Sequence, residues 1–258
     1  MIYAVGDIHG MLNMLEPACD RLTEILRPND AVVFLGDYID RGPDSEGVLK
    51  RLVRFRKQHQ ATVFLRGNHE DLLLRSLQGD RRREEMWLFS GGMTTLASFG
   101  LGGNGEWKKK FPKWALEFLA TTQVAVKTEQ YHFVHAGVVP FGVETEVEAD
   151  LDPRLWIREP FIRYGNSPGR IVVFGHTPQI DHRPLVHTNK VGLDTGACQG
   201  GTLSIGGFDD AAPRRRMPEF QLIQVDQKGV VSPTETIRNL LTHVPEGVST
   251  GYQIPTLT

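Results

Sequence analysis

Five short apolar segments of the sequence each end at an aspartate, asparagine or histidine that stands beside a glycine. In chain order, these ends are G-D-I-H-G at 6–10, G-D-Y-I-D-R-G at 36–42, R-G-N-H-E at 66–70, H-A-G at 135–137 and G-H-T at 175–177. Glycine permits the tight backbone turns that let neighbouring polar side chains converge. Carboxylate, amide and imidazole ligands together suit manganese, iron or zinc better than calcium or copper. We therefore expect a metal site, and an aspartate shared between two ions would account for so many ligands.

Charged residues are densest where the second of these segments ends. The stretch F-L-G-D-Y-I-D-R-G-P-D-S, at 34–45, places Asp37, Asp40, Arg41 and Asp44 within eight residues. A single cluster of this kind is usually a solvated turn. Its recurrence at five strand ends favours a shared functional site instead, because α/β folds bind ligands at the carboxyl edge of their strands.

The first seventy residues alternate strand-like and helix-like segments. The predicted order is a strand at I-Y-A-V, a helix over 11–26, a strand at A-V-V-F-L, a helix over 45–59 and a strand at A-T-V-F-L. Leucines of the first helix, such as Leu12, Leu15 and Leu22, recur at steps that fit a helical period. This βαβαβ pattern predicts parallel strands with right-handed crossovers.

The rest of the chain changes from a helical to a strand-rich pattern. Residues 70–120 are predicted to be mostly helical, with glycine turns at 91–92 and 100–105, and later strands are expected at Q-V-A-V, Y-H-F-V, I-V-V-F, G-T-L-S-I and F-Q-L-I-Q-V. Two layers of sheet with outer helices accommodate this pattern. Because no long linker interrupts it, we expect one domain over 1–258, with a strand-rich part at 170–226 and a mobile tail at 245–258.

The composition is that of an ordinary globular protein and excludes several classes. The hydrophobic share is 40%, the charged share is 23% and the formal net charge is -2, so no nucleic-acid partner is expected. Cys19 and Cys198 are too few for a disulfide framework and lack metal-ligand spacing. No leader pattern is visible, and no run approaches the roughly 18 apolar residues of a membrane span. We expect a cytoplasmic protein with no membrane contact.

The five strand-end motifs, taken in this order and spacing, resemble those of the calcineurin-like metallophosphoesterases. The likeness is to the phosphoprotein phosphatase branch with its bacterial and phage members, and it spans residues 6–177. The resemblance implies a mixed two-sheet β-sandwich flanked by helices, of α/β or α+β class. It also implies that Asp7, His9 and Asp37 hold one metal ion, while Asp37, Asn68, His135 and His176 hold the other.

The chemistry that this resemblance implies is hydrolysis of a phosphate ester by in-line attack of a water or hydroxide that bridges two divalent ions. Manganese is the expected metal, with iron or zinc as alternatives. Arg41 and Arg158, the latter in W-I-R-E, are the candidate donors to the phosphoryl oxygens, a role that suits the planar guanidinium. Asn68 and His69 are further candidate phosphate contacts. His69 would protonate the leaving alkoxide, with Asp40 orienting its ring.

Three functions remain open from the sequence. The first is a serine/threonine protein phosphatase, with phosphotyrosine as a further substrate and with regulatory partners unknown. The second is a dinucleoside polyphosphate hydrolase. In that branch of the family the corresponding motif resembles G-D-L-V-A-R-G, which lacks the equivalent of Asp40. A serine alkoxide is a poor leaving group that needs an acid, whereas a phosphoanhydride expels a stable anion, so Asp40 favours the phosphatase. The third is a catalytically silent module that binds metal or phosphopeptide.

Other conspicuous residues are predicted to be structural. Three basic clusters, at 81–83, 108–110 and 214–216, are expected to be solvated turns or helix ends, and Gly79-Asp80 is expected to stop a helix. We expect the tryptophans at 87, 107 and 114 to lie in the core, and the histidines at 59, 132, 182, 187 and 243 to serve surface or packing roles. The turn D-T-G-A-C-Q-G-G at 194–201 is expected to shape the rim of the site.

Overall fold

The structure is a computed structural model that describes residues 1–102, 106–163, 169–212 and 218–238. The predictions for the basic cluster at 214–216, for His243 and for the tail at 245–258 lie outside these residues. Within the described ranges, none of the helices combines the length and the hydropathy that a membrane span requires.

Two mixed sheets form the centre of the molecule. The strands are β1 (Ile2–Val5), β2 (Ala31–Phe34), β3 (Thr62–Phe64), β4 (Ala125–Lys127), β5 (Tyr131–Val134), β6 (Ile171–Phe174), β7 (Leu185–His187), β8 (Lys190–Gly192), β9 (Leu203–Phe208), β10 (Phe220–Val225) and β11 (Glu235–Ile237). The first sheet has the order β11-β10-β9-β1-β2-β3 and the second has the order β4-β5-β6-β8-β7. The predicted two-sheet fold with flanking helices is therefore confirmed.

Helices cover the outer side of the first sheet and fill the middle of the chain. They are α1 (Leu12–Ile25), α2 (Ser45–Gln58), α3 (Asn68–Leu77), α4 (Arg81–Trp87), α5 (Met93–Ser98), α6 (Trp107–Lys110), α7 (Lys113–Ala120) and α8 (Pro153–Trp156). A kinked turn over Leu88–Gly92, in which Gly91 is not helical, joins α4 to α5, and a 3-10 turn covers Ala197–Gln199. Asp44 of the charged stretch begins α2, where its side chain accepts a hydrogen bond from the Gly47 N–H at 2.7 Å.

The predicted βαβαβ start of the chain is confirmed. Strands β1, β2 and β3 are parallel neighbours, with Val5 opposite Phe34 and Phe34 opposite Phe64. Because these strands run in one direction, their polar ends meet at the same edge of the sheet. In the second sheet β5 and β6 are also parallel, which places the ends of the H-A-G and G-H-T motifs side by side.

Alternation along the strands divides the apolar side chains into layers. Val33 and Val173 face the space between the two sheets, whereas Phe34 packs under the helices and Phe174 packs on the outer face of the second sheet. All four side chains are buried. This period of two is what fixes the register of each strand relative to its neighbours.

The structure corrects one prediction about the basic clusters. The cluster at 81–83 lies at a helix end, as expected, because it begins α4, but Arg83 is not solvated, since only 1% of its side chain is exposed. It contacts Glu148 at 2.9 Å and Asp150 at 2.6 Å, and so joins α4 to the segment that precedes α8. Gly79-Asp80 was expected to stop a helix, and it does lie between two helices. Gly79 has a φ of 96° in the turn, and Asp80 begins α4.

A buried carboxylate fastens the end of β2 to the beginning of α3. Glu70 is fully buried, and its two oxygens accept hydrogen bonds from the N–H groups of four residues that lie in two different loops. The donors are Asp37 at 2.9 Å, Tyr38 at 2.8 Å, Ile39 at 3.3 Å and Gly67 at 2.9 Å. This clamp holds the second and third strand-end motifs against each other.

Glu70→Gln is expected to lower the free energy of unfolding by about 2–3 kcal/mol, because the amide NH₂ replaces an acceptor and leaves buried N–H groups unpaired. Urea unfolding of the metal-free protein measures this change. Glu117→Gln is the control, since that side chain is 64% exposed and pairs only with Lys113, and its effect is expected within about 0.5 kcal/mol. Equal stability of the two variants would contradict the clamp.

Candidate active site

The carboxylate of Asp37 lies at the centre of the predicted ligands. One oxygen, Oδ2, is 3.4 Å from His9 Nε2, and the other, Oδ1, is 3.4 Å from His135 Nε2. The two oxygens therefore face two different histidine groups. His9, Asp37 and His69 form one group that could hold a metal ion, and Asp37, His135 and His176 form a second group. An arrangement of this kind is what a carboxylate shared between two ions requires.

Asn68 adds an amide oxygen to the second group. Its Oδ1 is 3.0 Å from His135 Nε2 and 3.0 Å from His176 Nδ1. Asn68 is also the first residue of α3, so the helix fixes its backbone while the side chain points toward the two rings. Asn68 and His176 are 108 residues apart, so the fold and not the local sequence brings them together.

Asp7, at the end of β1, was expected to bind the first ion with His9 and Asp37, but it lies in neither of the two groups of metal-binding side chains. Its carboxylate accepts the backbone N–H of His176 at 3.0 Å, which joins the first sheet to the second. Gly175 makes this approach possible, since a Cβ at that position would lie 2.0 Å from Asp7 Oδ1. Glycine is therefore required at position 175 for steric reasons, and not only because it permits a tight turn.

Three of the histidines have the second contact that metal ligands show. His9 Nδ1 is 2.9 Å from the Ile39 carbonyl, His135 Nδ1 is 2.9 Å from the Leu35 carbonyl, and His176 Nε2 is 3.2 Å from the Trp156 carbonyl. A ring N–H that donates to a carbonyl leaves the other nitrogen free to bind a metal ion. The residues present therefore fit a site for divalent cations with mixed oxygen and nitrogen ligands.

His69 differs from these histidines because its Nδ1 contacts a carboxylate. The distance to Asp40 Oδ2 is 2.7 Å, and both side chains have no exposed surface. Burial raises the pKa of Asp40 to about 8, opposed by hydrogen bonds that stabilise the anion, and burial lowers the pKa of His69 to about 3. The ring is neutral in this arrangement, with its N–H toward Asp40 and its Nε2 lone pair available to a donor.

That donor is Arg41. Its guanidinium reaches both His69 Nε2, at 2.9 Å, and His9 Nε2, at 2.8 Å. Arg158 also acts on the site, because after burial it is the largest cause that lowers the pKa of His176. Both arginines lie within the electrostatic reach of Asp194, whose carboxylate is 4% exposed. Two guanidinium groups thus face a cluster of carboxylates and imidazoles.

The charges in the site shift each other strongly. Burial alone would raise the pKa of Asp37, but the imidazoles of His135 and His69 outweigh it and hold that pKa well below its usual value. Burial would likewise lower the pKa of His135, but the Asp37 carboxylate raises it to about 9. Burial and then Asp194 raise the pKa of Asp7. Groups that face one another this closely are typical of functional sites.

The backbone of the site is strained. In the described residues, His9, Asp37, Asp40, Arg41 and His176 have positive φ values between 46° and 72°, a region that side chains other than glycine rarely adopt. The one further non-glycine residue of this kind there is His182. Strain of this sort collects where the surrounding contacts hold a functional geometry in place.

Several residues in contact with the site carried no functional prediction. Trp87 and Thr95 donate hydrogen bonds to Asp40, and Cys198 lies against the Arg41 guanidinium. The turn at 194–201 was expected to shape the rim, but the contact of Cys198 with Arg41 was not foreseen. Burial raises the pKa of the Cys198 thiol to about 11, which makes a thiolate scarce at neutral pH. The histidines at 59, 132, 182 and 187 belong to neither metal-binding group.

Comparison with known proteins agrees with this geometry. The family model of the calcineurin-like phosphoesterases matches residues 1–199. Serine/threonine-protein phosphatase 1 of Salmonella typhimurium is 33% identical over 213 residues, which cover 79% of this chain and 90% of that protein. The asymmetrical bis(5'-nucleosyl)-tetraphosphatase PrpE of Oceanobacillus iheyensis is 26% identical over 236 residues, covering 80% of this chain and 88% of that one.

A solved structure shows the same fold at low sequence identity. The cold-active protein-tyrosine phosphatase of a psychrophilic Shewanella species superposes with a TM-score of 0.52 and 17% identity, covering 92% of this chain and 80% of that chain. Two sheets, strand-end motifs in the expected order and a family match over most of the sequence lead to one conclusion. The chain belongs to the calcineurin-like phosphoesterases, a family of metal-dependent hydrolases.

Proposed function

We propose that this protein is a phosphomonoesterase dependent on two metal ions that removes phosphate from serine and threonine side chains of proteins, with phosphotyrosine as a further substrate. The observation that carries the proposal is the buried pair of Asp40 and His69, whose facing atoms are 2.7 Å apart. An ester of an alkoxide needs a proton donor at its leaving oxygen, and this pair supplies one next to the candidate metal ligands.

The proposed metal ligands form two sets that share one residue. Asp7, His9 and Asp37 would hold the first ion, and Asp37, Asn68, His135 and His176 would hold the second. Manganese is the metal we propose, since oxygen and imidazole ligands both suit it. When bound, two divalent ions would activate water as the nucleophile and neutralise charge on the phosphoryl group. No serine or cysteine nucleophile is then needed.

The arginines would bind and orient the phosphoryl oxygens. Arg41 is already directed toward His9 and His69, and Arg158 approaches from the segment that follows α8. Planar guanidinium groups donate two parallel hydrogen bonds to oxyanions, and a phosphoryl group gains negative charge on those oxygens as it is transferred. Asn68 and His69 would contribute further contacts from the N-terminus of α3.

His69 would act as the general acid. Its Nε2 faces the site, and its Nδ1 is fixed by Asp40, so the ring cannot turn away from a bound ester. For this role Nε2 would have to take up a proton in place of its contact with Arg41, and the Asp40 carboxylate would stabilise the resulting imidazolium until that proton moves from Nε2 to the leaving oxygen. This assistance matters most for serine and threonine esters, whose alkoxides are strong bases.

A dinucleoside polyphosphate hydrolase is the second candidate, and the similarity to the tetraphosphatase PrpE supports it. The leaving group of that reaction is a stable nucleotide anion that needs little protonation. A buried acid pair would then have little to do, which is why we rank this function second. A catalytically silent binding module is disfavoured, because each candidate ligand and both arginines are present.

The two substrate classes can be compared on the same protein. Chelation of the metal is expected to abolish hydrolysis, and Mn²⁺ is expected to restore it. The reloaded protein is expected to hydrolyse a phosphoserine or phosphothreonine peptide with a kcat/KM at least about tenfold above that for diadenosine tetraphosphate. Release of phosphate and of nucleotide measures the two reactions.

Asp37→Asn provides the matched control for metal dependence. It keeps the shape of the side chain but removes the charge that both ligand groups share, so the Mn²⁺ stoichiometry measured by calorimetry is expected to fall below two. A clear preference for the dinucleotide would reject our ranking of the two functions. Binding of metal with no hydrolysis of either substrate would instead support the silent module.

The role of Asp40 in protonating the leaving group can be tested by substitution. Asp40→Asn is expected to lower kcat on a phosphoserine peptide by about 10²-fold, and on 4-nitrophenyl phosphate by less than about tenfold, because the nitrophenolate leaves without a proton. Steady-state rates on the two esters give this ratio directly. Asp44→Asn is the control, since it lies four residues away and asparagine begins a helix as well as aspartate does. Equal slowing of both esters by Asp40→Asn would argue against the acid assignment.

A further inference from the structure

The Asp40 carboxylate has two buried hydrogen-bond donors besides His69. The indole Nε1 of Trp87 is 2.9 Å from Oδ2 and 3.2 Å from Oδ1, and the Thr95 hydroxyl donates to Oδ1 at 2.6 Å. All three side chains are fully buried. A carboxylate held by donors at both oxygens cannot rotate freely about its last bond. Oδ2 is therefore kept toward His69 Nδ1.

Thr95 also holds the backbone of Asp40. Its Oγ1 accepts the Asp40 N–H at 2.9 Å, and Ser45 Oγ accepts the same N–H at 3.0 Å. The two hydroxyls are 2.9 Å apart, so they form a connected network around one residue. This residue needs such support, because its φ of 72° is strained for a side chain with a Cβ.

Both donors come from the helical insert that the sequence predicted only as packing. Trp87 is the last residue of α4, and Thr95 lies in α5, on either side of the kinked turn over Leu88–Gly92. Gly91 in that turn has a φ of 117°, and a Cβ there would lie 2.9 Å from Arg41 N. The turn thus packs directly on the residue after Asp40.

We propose that Trp87 and Thr95 are positioning residues for the general acid, which they serve by fixing the Asp40 carboxylate against His69. The inference rests on the proposed function, since it assigns part of the same site. Donors to both oxygens stabilise the carboxylate form, and a carboxylate is what stabilises the imidazolium before proton transfer. Neither residue touches the substrate, so each acts through Asp40.

A neighbouring tryptophan shows that burial alone does not require this hydrogen bond. Trp107 is 1% exposed and its ring lies 5.0 Å from that of Trp87. Its Nε1 has no hydrogen-bond partner among the residues that the structure describes. In the same core, the indole N–H of Trp87 therefore donates to Asp40, whereas that of Trp107 donates to no described residue. This pair provides a matched control.

The test measures kcat of Trp87→Phe and Thr95→Val on a phosphoserine peptide and on 4-nitrophenyl phosphate. In each variant, kcat is expected to fall about tenfold on the peptide and no more than about twofold on the aryl ester. Trp107→Phe is expected to change neither rate by more than about twofold. Thr95→Ser, which keeps the hydroxyl, is expected to recover most of the rate lost in Thr95→Val.

Combination with Asp40→Asn separates positioning from general packing. If Trp87 acts through Asp40, Trp87→Phe is expected to add less than about twofold to the loss already caused by Asp40→Asn. Full additivity, or equal slowing of the two esters by Trp87→Phe, would overturn the inference. A parent enzyme that hydrolyses neither ester would instead reject the proposed function. An equal fall of kcat on both esters in Asp40→Asn would reject the acid assignment and the inference with it.

An NMR measurement tests the hydrogen bond between Trp87 and Asp40 without relying on enzyme activity. The chain has four tryptophans, and the indole N–H signal that Trp87→Phe removes identifies Trp87 in the nitrogen–proton NMR spectrum of the metal-free protein. That signal is expected far downfield, as for a hydrogen bond to a carboxylate, and it is expected to move upfield in Asp40→Asn while the Trp107 signal stays in place. An unchanged Trp87 signal would overturn the inference.

Discussion

The hydrogen bonds to Glu70 are the constraint on which the site depends. A single buried carboxylate binds backbone N–H groups from the loop after β2 and from the turn before α3. Asp37 is one of these donors and Asn68 lies next to another, so the clamp sets the distance between two of the candidate metal ligands. It does so without using any side chain that faces the site. The relative position of these two ligands is consequently set by their backbones.

Much of the fold could be predicted because the chain repeats one physical arrangement. Each apolar strand ends at a glycine and a polar residue, and parallel strands bring such ends together, so β1, β2, β3, β5 and β6 were all expected within a residue or two. Strands β7, β8 and β11 were not predicted. Each has only three residues and, unlike the equally short β3, lies outside the alternation of strands and helices that made β3 recognisable. Their pairing is decided by neighbours that the local sequence does not contain.

The candidate site shows the same division. Most of the residues that offer ligands or charge were visible because polar residues beside a glycine recur at five strand ends. Glu70, Trp87 and Thr95 were not recognised, because their importance comes from contacts with residues 31 to 55 positions away. Trp87 was expected in the core and does lie there, but its indole N–H also reaches Asp40. Arg83 was expected in solvent and is buried, because Glu148 and Asp150 provide the charges that compensate it.

Function and stability conflict at five positions of this protein, where non-glycine residues have a left-handed backbone: His9, Asp37, Asp40, Arg41 and His176. Glycine would relax every one of these positions, and it would delete a reactive group each time. Selection for heat resistance alone would therefore drive the sequence toward an inert relative of the same shape. Efforts to engineer a hardier version should look for their gains in the outer helices and leave these five positions as they are.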